Sequence, residues 1–416
     1  MSFFTLLRHE LTLTKRDRSL WLWVLIVFML SVLSVSFGVF SVQQQHATIK
    51  QIKYANHQER ESESKKFTGW GSAAYYSFHI TYSEPSHFAY AAMGQRDQQP
   101  WKHRIRMLAL EGQIYERDVG NPSVAVIGRF DFAFLAAFIF PLVLILLLYD
   151  IRTSEKTAGR FNLLEATVGT PYKLWLSRAV IRVAAVFIAL IVPMILVGIV
   201  HGTAISTLLL ASASVLAYTV LWAGLCYKAA AWRHTAPSIL MGLMGIWLST
   251  SVVIPAGARL VIDNLVPLPT GSDILLTQRE AVNDAWDLPR DTTMQAFFER
   301  HPQWANYTKQ TSSFEWQWYY AFQQVGDQQA EHLSQAYRNG RIKRDNYANW
   351  TALLAPASLL ERTLQTLAQT STQASLQYEQ SVRDYHNQLR EFYYPYFFTH
   401  APFDKKALDH IPSYTP

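Results

Sequence analysis

The sequence predicts a mainly α, polytopic helical membrane protein with about five transmembrane helices and two large extracytoplasmic, mostly helical insertions. Three observations carry that expectation. Apolar blocks long enough to cross a hydrocarbon core as helices lie within residues 20–42, 128–150, 178–200, 207–227 and 237–262. Two long stretches, 43–127 and 263–416, are polar yet rich in aromatic residues, unlike disordered chains. The chain of 416 residues is 50% hydrophobic but has a mean hydropathy of only +0.02, a balance that suits spans interrupted by polar regions.

Residues 1–19 place Phe3, Phe4, Leu7 and Leu11 toward one side of a helix and Arg8, Lys15, Arg16 and Arg18 among polar positions. That is the pattern of an amphipathic helix in a membrane interface. The block at 20–42 is longer than a signal-peptide core and no clean A-x-A site follows it. It therefore reads as a first span. Residues 43–127 begin as helix leaving the membrane and then turn aromatic and irregular around Trp70, Tyr75, Tyr76, Phe78, Tyr82 and Pro85. The length exceeds that of a simple connection and predicts a folded subdomain.

The second span ends at Tyr149 and Asp150, and a basic loop over 151–177 separates it from the third. Within the loop Phe161, Leu164, Glu165 and Val168 recur at helical spacing, stopped by Gly169 and Pro171, which predicts a short amphipathic helix. The third and fourth spans turn at His201 and Gly202. In the fifth, Pro255 is expected to kink or end the helix. Lys and Arg set the orientation. Arg8, Lys15, Arg16, Arg18, Arg152, Lys156, Arg160, Lys173, Arg178, Lys228 and Arg233 fall on one side, and the short loop around 201–206 carries none. The positive-inside rule puts the N-terminus in the cytoplasm and residues 263–416 outside. There Trp318, Phe322 and Val325 form one helical stripe, and Tyr378, Val382, Tyr385, Leu389 and Phe392 another suited to helix packing.

The segment around the second span resembles the permease subunits of ABC-2-type bacterial exporters, in a branch with large extracytoplasmic loops. The matching residues are Gly128, Arg129, Phe130 and Asp131 before the span, then Glu155, Gly159, Arg160, Leu163, Leu164 and Pro171 after it. Leu354, Ala355, Pro356 and Ala357 resemble a further family segment. The resemblance implies that Glu155, Gly159, Arg160, Leu163, Leu164, Glu165 and Pro171 form a coupling helix and loop resting on a separate ATPase. It implies a bacterial inner-membrane location and an ABC ATPase subunit dimer carrying ATP and Mg, with no cofactor on this chain. It also implies a second permease subunit, identical or different, and leaves room for an extracytoplasmic partner besides the membrane lipids. The family usually has six spans. Here the chain reaches Pro416 without a sixth apolar block, which a short protein, a truncated sequence or a partner-completed bundle would each explain.

Chemical motifs are sparse. There is no G-x-x-x-x-G-K-[ST] phosphate loop, no H-E-x-x-H and no G-x-S-x-G, so ATP hydrolysis is expected on the partner and no catalytic or metal-binding residue is assigned. His46, His57, His79, His87 and His103 match no ligand spacing, and the single cysteine, Cys226, can build neither a disulfide nor a cluster. The net charge of +6 is spread along the chain beside apolar blocks, which fits membrane orientation better than nucleic-acid binding. Arg178 and Arg182, four apart at the start of the third span, are expected to snorkel to the interface, or to face a substrate path or lipid headgroup. Arg259 and Asp263 are spaced to pair. Two other classes compete with the permease: a membrane-anchored scaffold or sensor, and a polytopic membrane enzyme. The enzyme would need acidic or histidine residues converging inside the bundle, where the third to fifth spans carry almost none.

Overall fold

The computed structural model describes residues 3–97, 99–116, 130–168, 170–306 and 314–416. It is mainly helical, at 78%. Five helices are long and apolar enough to cross a membrane: Arg18–Ser64, Phe132–Thr157, Pro171–Val200, Ile205–Ala229 and Ala236–Leu265. Each contains the greater part of a predicted span. They pack into a bundle with a basic end, where the N-terminal helix lies, and a domain-bearing end.

Helix α1 (Phe3–Thr14) precedes α2 (Arg18–Ser64). The Asp17 carboxylate starts α2 by accepting the amides of Ser19 and Leu20 at 3.1 and 3.2 Å. With 47 residues α2 runs roughly 70 Å, over twice a hydrocarbon core, so its polar second half projects into the domain. Then come α3 (Trp70–Tyr76), an antiparallel pair β1 (His79–Tyr82) and β2 (Lys102–Ile105), and α4 (Leu110–Tyr115).

The second span, α5, begins as Phe132–Phe134, passes through a π-helical turn at Leu135–Ile139 and continues as Phe140–Leu148. Short helices α6 (Thr153–Thr157) and α7 (Phe161–Val168) follow. The remaining spans are α8 (Pro171–Val200), α9 (Ile205–Ala229) and α10, which comprises Ala236–Leu248, a π turn at Ser249–Val253 and Ile254–Leu265. The third helix thus starts well before residue 178, and the loop expected over 151–177 shrinks. Pro171 sits at its first turn, where a fixed φ and a missing N–H cost nothing.

Prolines inside spans free carbonyls that lipid cannot satisfy, and neighbouring helices supply donors. Pro141 cannot bond the carbonyl of Ala137, and the Tyr218 hydroxyl donates to that oxygen at 2.6 Å. Ser31 also bridges two spans, donating to the Leu190 carbonyl at 2.6 Å. The expected disturbance at Pro255 takes the form of the π turn just before it.

The domain is completed by α11 (Gly271–Asp287), α12 (Arg290–Arg300), α13 (Trp316–Ala352), α14 (Pro356–Leu367) and α15 (Thr372–Phe398). The stretches 43–127 and 263–416, expected as two insertions, share one core among the described residues. Trp70, Ile105 and Leu110 from the first pack with Phe297, Trp318, Phe322, Tyr385 and Leu389 from the second. Both predicted aromatic stripes face that core, which is why neither stretch closes on itself. A second departure concerns α14. Its Ala357, Leu360 and Leu364 are buried in the bundle core with Leu135, Leu208 and Val215, so residues 263–416 do not all stand clear of the spans.

Two largely buried carboxylates of the domain are paired with arginines. Arg383 grips Glu111 through two bonds of 2.7 and 2.9 Å, and Ser334 donates to the same carboxylate at 2.7 Å. Burial pushes Glu111 up, but Arg383 outweighs it and holds the carboxyl below the usual range. Asp327 accepts the first amides of α4, from Leu110 and Glu111, at 2.8 and 3.0 Å and pairs with Arg390.

Candidate functional site

Two assemblies stand out, one at each end of the bundle. At the basic end, α1, α6, α7 and the first turns of α8 form a platform. Its centre is Arg178. The guanidinium reaches both Glu10 oxygens at 3.3 Å and Glu155 Oε1 at 3.0 Å, and Arg160 donates to the other Glu155 oxygen at 2.8 Å. Glu10 is only 5% exposed, so the ionic lock ties the N-terminal helix to the second and third spans. Arg182 adds a contact of 3.6 Å to Asp17, the cap of α2. These two arginines therefore do not snorkel freely. Each is held by a carboxylate of an element distant in sequence.

Aromatic packing holds α7 against this lock. Phe161 stacks on Trp175 with centroids 5.4 Å apart, and the Trp175 indole donates to Glu165 at 3.2 Å. Arg152 lies over Trp175 and Tyr227, and Lys156 over Phe161. Leu6, Val168 and Leu174 fill the space beneath, with Leu164 packed on them. The predicted amphipathic helix thus buries the Phe161, Leu164 and Val168 side. Its other side, Asn162, Leu163, Ala166 and Thr167, is exposed, and Leu163 is 67% open. Gly159 has φ of +71°, a left-handed turn that lets the chain reverse between α6 and α7. Pro171 opens α8. All seven predicted coupling residues therefore belong to one structure, with Leu163 facing out and Leu164 facing in. The Glu10 partner, 168 residues from Arg178, was not among them. In the sequence nothing links Glu10 to Arg178 and Arg182, which are simply four apart at the start of the third span.

At the domain-bearing end, residues 88–93 enter the mouth of the bundle. Gly38 on α2 admits them: a Cβ there would lie 1.8 Å from the Tyr90 carbonyl oxygen. The Tyr90 hydroxyl donates to the Met194 carbonyl at 2.8 Å, and Thr203 donates to the His87 carbonyl at 2.8 Å. Asp131 caps α5 through the Phe134 amide at 2.8 Å and also accepts the Met93 amide at 2.9 Å. Thr370 and Ser86 link the inserted segment to the end of α14, donating to the carbonyls of Ala92 and Ala368 at 2.8 and 2.5 Å. Glu361 lies nearby on α14. Burial first, then the Asp131 charge, push its carboxyl up to about 7. Of the motif residues predicted here, Asp131 is this cap, Phe130 meets the Phe134 ring edge-on and Pro356 opens α14. Gly128 and Arg129 lie outside the described residues. Arg259 and Asp263 do approach, at 3.8 Å, but Arg344 is closer to Asp263, at 2.7 Å.

No three of the histidine, cysteine or acidic residues are grouped to hold a metal among the described residues. His79 is instead buried, and His103 half-buried, against the hydroxyls of Tyr385 and Tyr378, at 3.1 and 3.0 Å. Burial lowers them to about 3 and about 4.

The architecture is that of a helical membrane protein, with five candidate spans carrying one composite domain. Residues 274–416 of that domain match a family model described as a domain of unknown function, DUF3526. The match takes in most of α11 and everything after it, including α14, and none of the platform. No curated protein and no solved structure matches the chain.

Proposed function

We propose that the chain is the transmembrane permease subunit of an ABC-2-type exporter, driven by a separate ATPase. The observation that carries this reading is the platform. A short helix, Phe161–Val168, is clamped to two spans through Glu155, Arg178 and Trp175 while its Leu163 side stays uncovered. A rigidly held helix with one side uncovered is what a motor needs in order to push on the spans. On this reading the basic end is cytoplasmic, in agreement with the positive-inside rule. Closure of an ATPase dimer on ATP and Mg would press α7, and the lock around Arg178 would carry the displacement into α2, α5 and α8. A ligand shifts such an equilibrium only by contacting two states differently, and the Leu163 side supplies the contact.

The test is co-purification from membranes with an ATPase encoded beside this chain. Leu163→Asp should abolish association and ATP-stimulated activity while leaving detergent-solubilised chain monodisperse. An ATPase that binds Leu163→Asp as well as the unaltered chain would sink the coupling role of α7. A chain that never captures an ATPase would favour the scaffold or sensor reading, with the composite domain as the binding part.

A further inference from the structure

The second half of α13 and the start of α14 form a hairpin with an unusual charge pattern. Residues 346–360 carry no charged side chain, whereas Arg344 and Asp345 stand on one shoulder and Glu361 and Arg362 on the other. The shoulders are tied down. Arg362 pairs with Asp345 at 2.7 Å and donates to Asn349 at 2.8 Å, while Arg344 pairs with Asp263 at 2.7 Å and donates to the Val266 carbonyl at 2.8 Å. These contacts fix a direction. Gly340 lies against Leu268, so closely that a Cβ would sit 2.1 Å from a methyl, and Arg344 four residues later lies against 263–266. Helix α13 therefore runs antiparallel to the end of the last span and heads back toward the bundle. The eight residues from Arg344 to Ala352 cover roughly 12 Å. Beyond the turn, α14 returns with Ala357, Leu360 and Leu364 inside the bundle core.

The outward side of the tip is apolar and bare. Trp350, Leu353 and Leu354 are 73%, 60% and 68% exposed, beside the equally bare Leu260, Val261 and Leu265 of the last span. The turn itself leaves no amide wanting. Leu353, Leu354 and Ala355 donate to the carbonyls of Trp350, Thr351 and Ala352 at 3.2, 3.0 and 3.0 Å, and Pro356 has no N–H. Internal pairing of backbone donors is part of what chain reversal in contact with lipid requires. A charge-free run too short to span has the make-up of a re-entrant or interfacial segment.

We propose that residues 346–360 are a re-entrant hairpin whose tip, Trp350, Leu353 and Leu354, enters the leaflet on the domain's side and is covered by lipid acyl chains. The surface is continuous with the lipid-facing side of α10, which argues for lipid over a protein partner. The proposal rests on the five spans and not on the exporter reading.

The test uses the full chain with Cys226→Ser, which removes its single cysteine. Bimane is placed at Leu353→Cys, Leu354→Cys or, as a control higher on α13, Asn339→Cys. The protein is reconstituted in phosphatidylcholine–phosphatidylglycerol vesicles with or without dibrominated acyl chains. Labels at 353 and 354 should lose most of their emission in brominated vesicles and resist aqueous iodide, while the label at 339 behaves in the opposite way. Iodide quenching at 353 and 354 would overturn the proposal. So would protection from both quenchers, which means that protein covers the tip, either a second copy or a partner. Photolysis of an apolar carbene probe dissolved in the membrane checks the unaltered chain: adducts at 350–354 are expected, and their absence beside adducts on α10 refutes lipid cover.

Discussion

Replacing Arg178 with methionine isolates the role of the ionic lock. Glu10 is buried and its contacts run to Arg178, whereas Glu155 retains Arg160. The substitution keeps the aliphatic stem and strands one carboxylate in a low-dielectric site. Breaking a buried pair from one side costs about 3–5 kcal/mol. Against that loss α1 keeps mainly the burial of Leu6, worth roughly 1.5–3 kcal/mol, and a helix of 12 residues has little stability of its own. The docked-to-undocked ratio of α1 should fall by about two to three and a half orders of magnitude. Spin labels at His9→Cys on α1 and Lys228→Cys on α9, in the Cys226→Ser chain, read this by pulsed dipolar spectroscopy in nanodiscs. The expected result is a narrow distance distribution that broadens in Arg178→Met. Adding Glu10→Gln should restore much of the narrow population, because a neutral amide removes the stranded charge. If Arg178→Met leaves the distribution narrow, the lock does not hold α1. If Glu10→Gln fails to rescue, charge burial is the wrong explanation.

Other expectations follow from groups whose environments are equally defined. The Glu361 carboxyl titrates near 7 in the fold against 4.5 for a free side chain, so the fold binds its proton more tightly. Its contribution is fully present below pH 4.5 and is lost as pH rises through 7, by roughly 3 kcal/mol. Thermal melts of Glu361→Gln should lack that decline. His79 and His103 have the opposite sign: depressed to about 3 and about 4, they favour the fold above pH 6.5 and cost stability as pH falls toward 4. Each contributes a slope of about 1.4 kcal/mol per pH unit in that window, so His79→Gln should flatten the acid limb of the melt. Arg383→Met strands Glu111 with only Ser334 as a strong donor. It should destabilise the domain by about 3–5 kcal/mol, with partial recovery in Arg383→Met/Glu111→Gln.

Much of the fold was legible because its signals are local. Each span announces itself as an apolar run, and the stripes at Trp318–Phe322–Val325 and Tyr378–Val382–Tyr385–Leu389 point to the core they line. The inward and outward sides of α7 followed from a spacing of three and four. What could not be read was pairing across distance. Nothing near Glu10 names Arg178, and nothing in 43–127 announces that its aromatics complete a core begun beyond residue 263. The segment 88–93 is short, small and apolar, and only Gly38 opposite makes room for it. Pro356–Leu367 has the amphipathic pattern of an ordinary domain helix, and its side chains give no sign that the buried face meets spans rather than domain.

The two assemblies are joined by helices that have few ways to absorb a displacement. Helix α2 is continuous from its Asp17 cap beside Arg182, past Gly38 at the mouth, and on into the domain. Helix α8 carries Arg178 and Arg182 at one end and, at the other, the Met194 carbonyl that receives Tyr90. A push on the platform therefore reaches the inserted segment along two rods rather than through a chain of side chains, and the physical warrant for coupling is an element that both sites contact. On the permease reading this makes Gly38 a position where the two ends can be uncoupled. A side chain there collides with backbone, not with a flexible tip, so residues 88–93 must move out of the mouth while the lock at the basic end stays intact. Gly38→Val should accordingly leave ATPase association unchanged but raise the exposure of a label at Tyr90→Cys to aqueous reagents. If association fell as the segment left the mouth, the two ends would be one cooperative unit and α2 would not be a passive rod.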